Sequence, residues 1–270
     1  MKVTIVVDNY VSKRDFLSEH GFSMLLEEGE HKYLFDSGQG MVLLHNFNLI
    51  GVKLNDIEKI ILSHGHDDHT GGLRFFMENH IYPEIIAHPD VIYTKFKIQG
   101  EVKKDIGLKF VLDRFDLKFS KEPVKLSEKI IFSGEVPKPN KWELEETSYF
   151  REEKGEMVKD SFSDDASLFV KLNEGLLVLT GCAHSGIINI IQYGMSITGE
   201  TKLFGVIGGM HLKNASAKRV ERTVRYLSDY NPQLITVSHC TGLIAGAALR
   251  NALGDRVIFT DVGKKFVFDV

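Results

Sequence analysis

Short apolar runs rich in Val, Ile and Leu recur along the chain, each closed by small or polar residues. They fall at 2–9, 22–29, 31–38, 57–64, 83–90, 128–136, 165–172, 174–182, 202–209, 232–239 and 255–263. Their length and β-branched content predict strands. Two pairs read as hairpins: "LLEEGEHKYLF", turning near Glu28 to Glu30, and "ASLFVKLNEGLLVL", turning at Asn173 to Gly175. Helices are expected at 39–50, stopped by Gly51, at 71–79, at 185–196 with Ser185 as a cap, at 215–229 with Val220, Val224 and Leu227 on one face, and at 242–254.

Hairpins thus alternate with strand–helix units, and the pattern occurs twice. Residues 1–90 form one half and 160–270 a looser echo of it. That organisation predicts an α+β fold, an αββα sandwich of two mixed β-sheets flanked by helices, in a single domain spanning 1–270. The segment at about 91–160 breaks the pattern. It is rich in Lys, Glu and Phe, holds the single Trp142, and reads as a loop-bearing insertion partly covering whatever site the halves form. A charged loop without chemical interest is the alternative.

Composition narrows the function classes. A 270-residue chain with 43% hydrophobic residues can bury a large core. Its formal net charge is −4, and no Lys/Arg run marks a nucleic-acid surface. Scattered lysines read as solvated surface. The N-terminal apolar run is too short for a signal peptide, and no stretch approaches the roughly 18 apolar residues of a membrane span. The expectation is a soluble, cytoplasmic protein with a small-molecule substrate and neither nucleic acid nor membrane as partner; oligomeric state is not legible. Two cysteines, Cys182 and Cys240, make no disulfide scaffold, but each lies beside a His, in "GCAH" and "SHC".

The chemistry concentrates in "ILSHGHDDHTGG", residues 61–72. A strand runs into His64, His66, Asp68 and His69, and a helix follows at once. His64 and His66 face the same side if the backbone is extended. Gly65 lets the chain bend, and Gly71 and Gly72 let the helix pack closely. Imidazole with carboxylate suits zinc first, with manganese or iron as alternatives. Four donors in six residues exceed what one tetrahedral ion takes from one loop while keeping an open position. Two divalent ions, each completed from elsewhere in the chain, are therefore expected. A solvent-facing polar turn is the bland alternative.

His-x-His-x-Asp-His resembles the signature of the metallo-β-lactamase superfamily, and the resemblance covers nearly the whole chain. "DDASL", "LTGCAHSGIIN", "IGGMHL" and "SHCTG" together look like one branch, the 7,8-dihydropterin-6-yl-methyl-4-(β-D-ribofuranosyl)aminobenzene 5'-phosphate synthases and metal-dependent hydrolases. The resemblance implies that Asp36, ending "KYLFD", orients a ligand His, and that His239 is the final ligand. His184 is expected as another. Cys182 stands where a bridging Asp is usual, and Asp164 and Asp165 stand near the usual place of a middle His. Asp165 and Cys182 are thus further metal candidates, Cys182 equally a small buried residue in a turn. His211 could bind metal, bind substrate or act as an acid, or simply face solvent. Asp68 would orient water as well as ligate. His20, His31, His45, His80 and His88 read as structural or exposed.

Two activities follow from the resemblance: hydrolysis of a phosphoester, ester or lactone, and condensation of a dihydropterin-methyl diphosphate with an arylamine ribofuranosyl phosphate. A metal or ligand sensor without activity is the other class. Lys213, Lys218 and Arg219 at a helix start could hold a phosphate, and Trp142 or Phe150 could stack on a pterin; exposed helix charges and pinned loop aromatics are the plainer readings.

Overall fold

The computed structural model describes residues 1–145 and 147–269. Both expected hairpins form. Strand β2 (Ser23–Glu28) pairs antiparallel with β3 (His31–Phe35), Glu28 opposite His31 across Gly29 and Glu30. Strand β13 (Ser167–Leu172) pairs with β14 (Gly175–Thr180), Leu172 opposite Gly175. Two-residue connections of this kind fix register, so one face of each hairpin is committed to a core.

The chain divides into two compact units. The first comprises Met1–Lys121, Glu146–Asp164 and Asp261–Val267; the second comprises Glu122–Glu145, Asp165–Thr260 and Phe268–Val270. In the first unit, β1 (Lys2–Val7), β4 (Lys59–Ile61), β5 (Glu84–Ala87), β8 (Leu117–Phe119) and β18 (Lys265–Val267) extend the hairpin into a seven-stranded sheet of order β18-β1-β2-β3-β4-β5-β8. Its pairs are antiparallel from β18 to β3 and parallel from β3 to β8. Helices α1 (Leu43–Ile50), α2 (Asp67–Thr70) and α3 (Leu73–Glu78) belong to this unit. Leu43 and Phe47 of α1 and Leu73 and Phe76 of α3 join the same buried cluster as Leu34 and Ile60. Gly51 ends α1 in the left-handed conformation, as its place in the sequence predicts.

The second unit repeats the plan. β9 (Val124–Lys125), β10 (Ile130–Phe132), β15 (Leu203–Gly208), β16 (Leu234–Val237) and β17 (Val257–Phe259) join its hairpin in the order β17-β16-β15-β14-β13-β10-β9. The run from β14 to β17 is parallel and the rest antiparallel. Every residue of β14, which pairs antiparallel with β13 and parallel with β15, is buried. Helices α4 (Ile187–Thr198), α5 (Ala217–Tyr230) and α6 (Leu243–Leu253) bury one face each in this unit's core, through residues such as Ile188, Ile191, Leu227 and Leu249. The looser echo in the sequence is thus a repeat of topology.

The segment 91–160, read as a loop-bearing insertion, also carries regular strands. β6 (Lys95–Gln99), β7 (Val102–Asp105), β11 (Tyr149–Glu153) and β12 (Glu156–Lys159) form a separate four-stranded antiparallel sheet of the first unit, ordered β12-β11-β6-β7. Charged residues on both faces of β7 and β12 hide the period-two signal that identifies a half-buried strand. Ser185 does not cap α4. The N-cap is Gly186, at φ 92°, and the donors of the first turn are taken by Glu143. Among the described residues no helix is long and apolar enough to cross a membrane.

Candidate metal centre

In the first unit the parallel strands β3 and β4 release their chains at one sheet edge, and the donors collect there. Asp36 follows β3, and His64 lies three residues beyond β4. His66 is the extended residue that opens α2, and His69 lies within that helix. His64, His66 and His69 are buried. His64 Nε2 stands 2.9 Å from His66 Nδ1, and the His64 and His69 ring centres are 4.3 Å apart. Asp68 Oδ2 lies 3.9 Å from His69 Nε2.

Hydrogen bonding assigns the tautomers. Asp36 Oδ2 accepts from His69 Nδ1 at 2.7 Å and from Ser63 Oγ at 2.6 Å. Ser63 has one proton and gives it to Asp36, so toward His64 Nδ1, at 2.8 Å, its oxygen accepts. Both histidines therefore carry their proton on Nδ1 and turn an Nε2 lone pair away from Asp36. Burial, then the neighbouring His69 and His66, hold His64 well below the ordinary imidazole range. Burial, then Lys95, lowers His66 to about 3. Neutral imidazoles oriented by a carboxylate are what a divalent cation requires. The donor chemistry of His64, His66, Asp68 and His69, imidazole with carboxylate, fits a divalent ion.

The four-stranded sheet holds this loop in place. Lys95, fully buried on β6, donates to Asp160 at 2.8 Å and to Asp164 at 2.9 Å. Asp164 Oδ2 accepts the Gly65 N–H at 2.8 Å, between the two histidines. Burial pushes Lys95 down, but Asp164 and Asp160 more than reverse it, so the ammonium stays charged. A buried ion triad contributes little net stability, but stranding one partner costs about 3–5 kcal/mol. Tyr149 stacks on the His66 ring at 5.7 Å, and Phe162 meets its edge at 6.2 Å. Gly65 is not at a positive φ; a Cβ there would run into the Val91 carbonyl, so close approach rather than bending requires the glycine.

In the second unit β14, β15 and β16 run parallel and deliver one donor loop each at their C-terminal ends. Cys182 and His184 follow β14, His211 follows β15, and His239 follows β16. Ala183, His211 and His239 take positive φ values of 61°, 48° and 44°. Non-glycine residues there are uncommon and collect at functional sites. The donor atoms of Cys182, His184 and His211 lie within 4.8 Å of one another, and so do those of Cys182, His239 and Cys240. The His184 and His211 ring centres are 4.1 Å apart.

Asp165 is in neither trio. Its Oδ2 accepts the Ser185 N–H at 2.7 Å, which ties down the turn bearing His184, and burial raises its carboxyl to about 6. Asp164, beside it in sequence, belongs to the Lys95 triad.

Several participants escaped the sequence. Lys95 looked like solvated surface. His20 is exposed, yet its Nε2 lies 3.3 Å from Asp68 Oδ2. Cys240 was visible as a neighbour of His239 but reads as packing. Arg219 is buried rather than an exposed helix charge. Trp142 stacks on Tyr226 at 5.7 Å under Arg222, a pinned aromatic of the second unit.

The model of the metallo-β-lactamase superfamily matches residues 19–184, more than half of the chain. The chain belongs to the metallo-β-lactamase superfamily. It is 36% identical to an uncharacterized protein of Methanocaldococcus jannaschii, over 97% of this chain and 98% of that one. It is 31% identical to the 7,8-dihydropterin-6-methyl-4-(beta-D-ribofuranosyl)-aminobenzene-5'-phosphate synthase of the same organism, over 91% and 89%. The crystal structure of Tm1679, a metal-dependent hydrolase of the beta-lactamase superfamily, covers 100% of both chains at 30% identity with a TM-score of 0.87. This metallo-β-lactamase superfamily member therefore has the superfamily's α+β fold along its whole length, as the His-x-His-x-Asp-His resemblance implied.

Proposed function

We propose that this superfamily member is a metal-dependent enzyme acting on a phosphorylated small molecule, and that it joins a dihydropterin-methyl diphosphate to an arylamine ribofuranosyl phosphate. The observation that carries metal dependence is the clustering of buried His64, His66 and His69, His64 Nε2 lying 2.9 Å from His66 Nδ1, with Asp36 and Ser63 holding His69 and His64 by their Nδ1 atoms. The substrate rests on the 31%-identical synthase and on the branch motifs around Cys182, His211 and His239. In this reading the ligands are His64, His66, Asp68, His69, His184 and His239, with Cys182 and Asp165 as further candidates for two divalent ions, zinc first. Asp36 orients His69, and Asp68 and His211 are the candidates for proton handling.

The condensation forms a carbon–nitrogen bond at the pterin methylene. It breaks the bond from that carbon to the diphosphate oxygen, and a proton leaves the amine. Bound divalent ions would supply charge stabilisation, for a departing diphosphate in transfer or an attacking water in hydrolysis. The chain's part is to hold neutral imidazoles ready, so that no reorganisation is needed when charge develops.

Hydrolysis of a phosphoester or lactone is the second reading, favoured by the equally similar metal-dependent hydrolase. Incubating the metal-loaded protein with both pterin-pathway substrates should release diphosphate and yield the joined product by mass spectrometry. EDTA and His66→Ala should each abolish it. Turnover of a phosphodiester or lactone panel without condensation would replace the first reading by the second. Bound metal with neither activity would favour a sensor.

A further inference from the structure

We propose that Cys240 is a metal ligand, forming with Cys182 and His239 a two-thiolate, one-imidazole position in the second unit. The proposal rests on the metal-dependent reading above and deepens it by naming a ligand and the kind of ion that ligand selects.

Three observations lead to it. First, the sulfurs of Cys182 and Cys240 and a ring nitrogen of His239 all lie within 4.8 Å of one another, so one ion can reach all three. Second, the surroundings of Cys240 are those of a sulfur that accepts. The His211 backbone N–H points at its Sγ from 3.3 Å, and its own S–H reaches the Cys182 carbonyl at 3.4 Å. A cysteine kept for packing would sit among apolar side chains; this one sits against two histidines and a second cysteine. Third, the fold makes room for that sulfur. A Cβ at Gly209 would stand 2.5 Å from the Gly181 carbonyl oxygen and 2.6 Å from Cys240 Sγ, so a glycine there leaves space for the backbone and the thiol together.

Charge gives the physical reason. A divalent ion held in buried surroundings by imidazoles alone keeps its full charge, which is costly to bury. Two thiolates cancel it. Loading exchanges the two thiol protons, released to solvent, for one cation. Two sulfurs and an imidazole leave the fourth tetrahedral position open to substrate or water, the arrangement of a reactive rather than a purely structural site. Soft sulfur donors also bias the position toward zinc or iron and against manganese. Cys182 belongs to the trio with His184 and His211 as well, so its thiolate is common to both donor groups.

The test is the full-length protein loaded with cobalt(II) and read by absorption. The expected spectrum contains a near-ultraviolet sulfur-to-cobalt charge-transfer band. Its intensity should fall by about half in Cys240→Ser and in Cys182→Ser and vanish in the double variant, one thiolate being lost at each step. Cys240→Asp should keep the metal stoichiometry while losing the same share of the band. An unchanged band in Cys240→Ser, or a wild-type zinc-edge absorption spectrum with one sulfur neighbour or none, would overturn the proposal. That wild-type measurement decides the matter even if a variant fails to fold. Metal bound without two-sulfur ligation sinks this assignment alone; absence of metal binding sinks the reading on which it rests.

Discussion

At the scale of single residues, the first unit's donors depend on Asp36. Its carboxylate accepts hydrogen bonds from His69 Nδ1–H, from the Ser63 hydroxyl and, at 2.7 Å, from the Ser63 N–H. Replacing it by Asn keeps the volume but puts an amide donor where two donors already point. One imidazole must then turn its proton toward the metal side. Asp36→Asn is expected to weaken metal binding about 10–100-fold, measured by competition with a chromophoric chelator, with little change in the far-ultraviolet circular dichroism. An unaltered affinity would show that Asp36 does not orient a ligand. The histidine cluster itself was legible because its residue types and spacing carry the chemistry directly. Lys95 was not, since a lysine in a Lys-rich stretch looks the same whether its ammonium meets water or two buried aspartates. Which partner it meets is fixed by Asp160 and Asp164, more than sixty positions away.

At the scale of elements, the segment 140–145 secures the two helices that follow the second unit's donor loops. Glu143 accepts the Ile188 and Asn189 N–H groups at the start of α4, at 3.1 and 2.9 Å. Glu145 accepts from Ser216, the N-cap of α5, through both its N–H and its hydroxyl. Burial raises the Glu143 carboxyl from 4.5 to about 7, against the opposing pull of those N–H groups and of Arg219. Because its pKa is higher in the folded chain, the folded state retains a proton that the unfolded chain gives up. The associated stability is complete below about pH 4.5 and is lost as pH rises toward 7, to a total on the order of 3 kcal/mol. Glu143→Gln removes that dependence. The difference in denaturant stability between wild type and variant should slope across this window, and a constant difference would contradict the assignment. The Ser185 cap expected from sequence failed for a related reason: its candidate role was taken by a side chain 45 positions earlier than Ile188.

At the scale of the whole molecule, metal binding and folding are expected to be coupled. The donor loops are short, carry residues at positive φ, and bring buried polar groups together. Such groups are stabilised when a cation satisfies them. At a free-metal concentration about a thousandfold above the dissociation constant, mass action adds roughly 4 kcal/mol to the folded state. Treatment with EDTA is expected to lower the thermal midpoint by several degrees, and zinc should restore it. A midpoint indifferent to both would count against ligation by these residues.

The sequence by itself determined the two hairpins, the repeated plan and the superfamily signature from His64 to His69. These depend on local periodicity, turn residues and spacing, which neighbouring positions encode. Only the tertiary structure decided that residues 95–105 and 149–159 form a sheet supporting the first donor loop. It alone buried Lys95 between two aspartates, caps α4 with Glu143 and puts Cys240 in reach of Cys182. Each of these depends on a partner distant in sequence, and such pairings become definite only when the sheets have brought the two segments together.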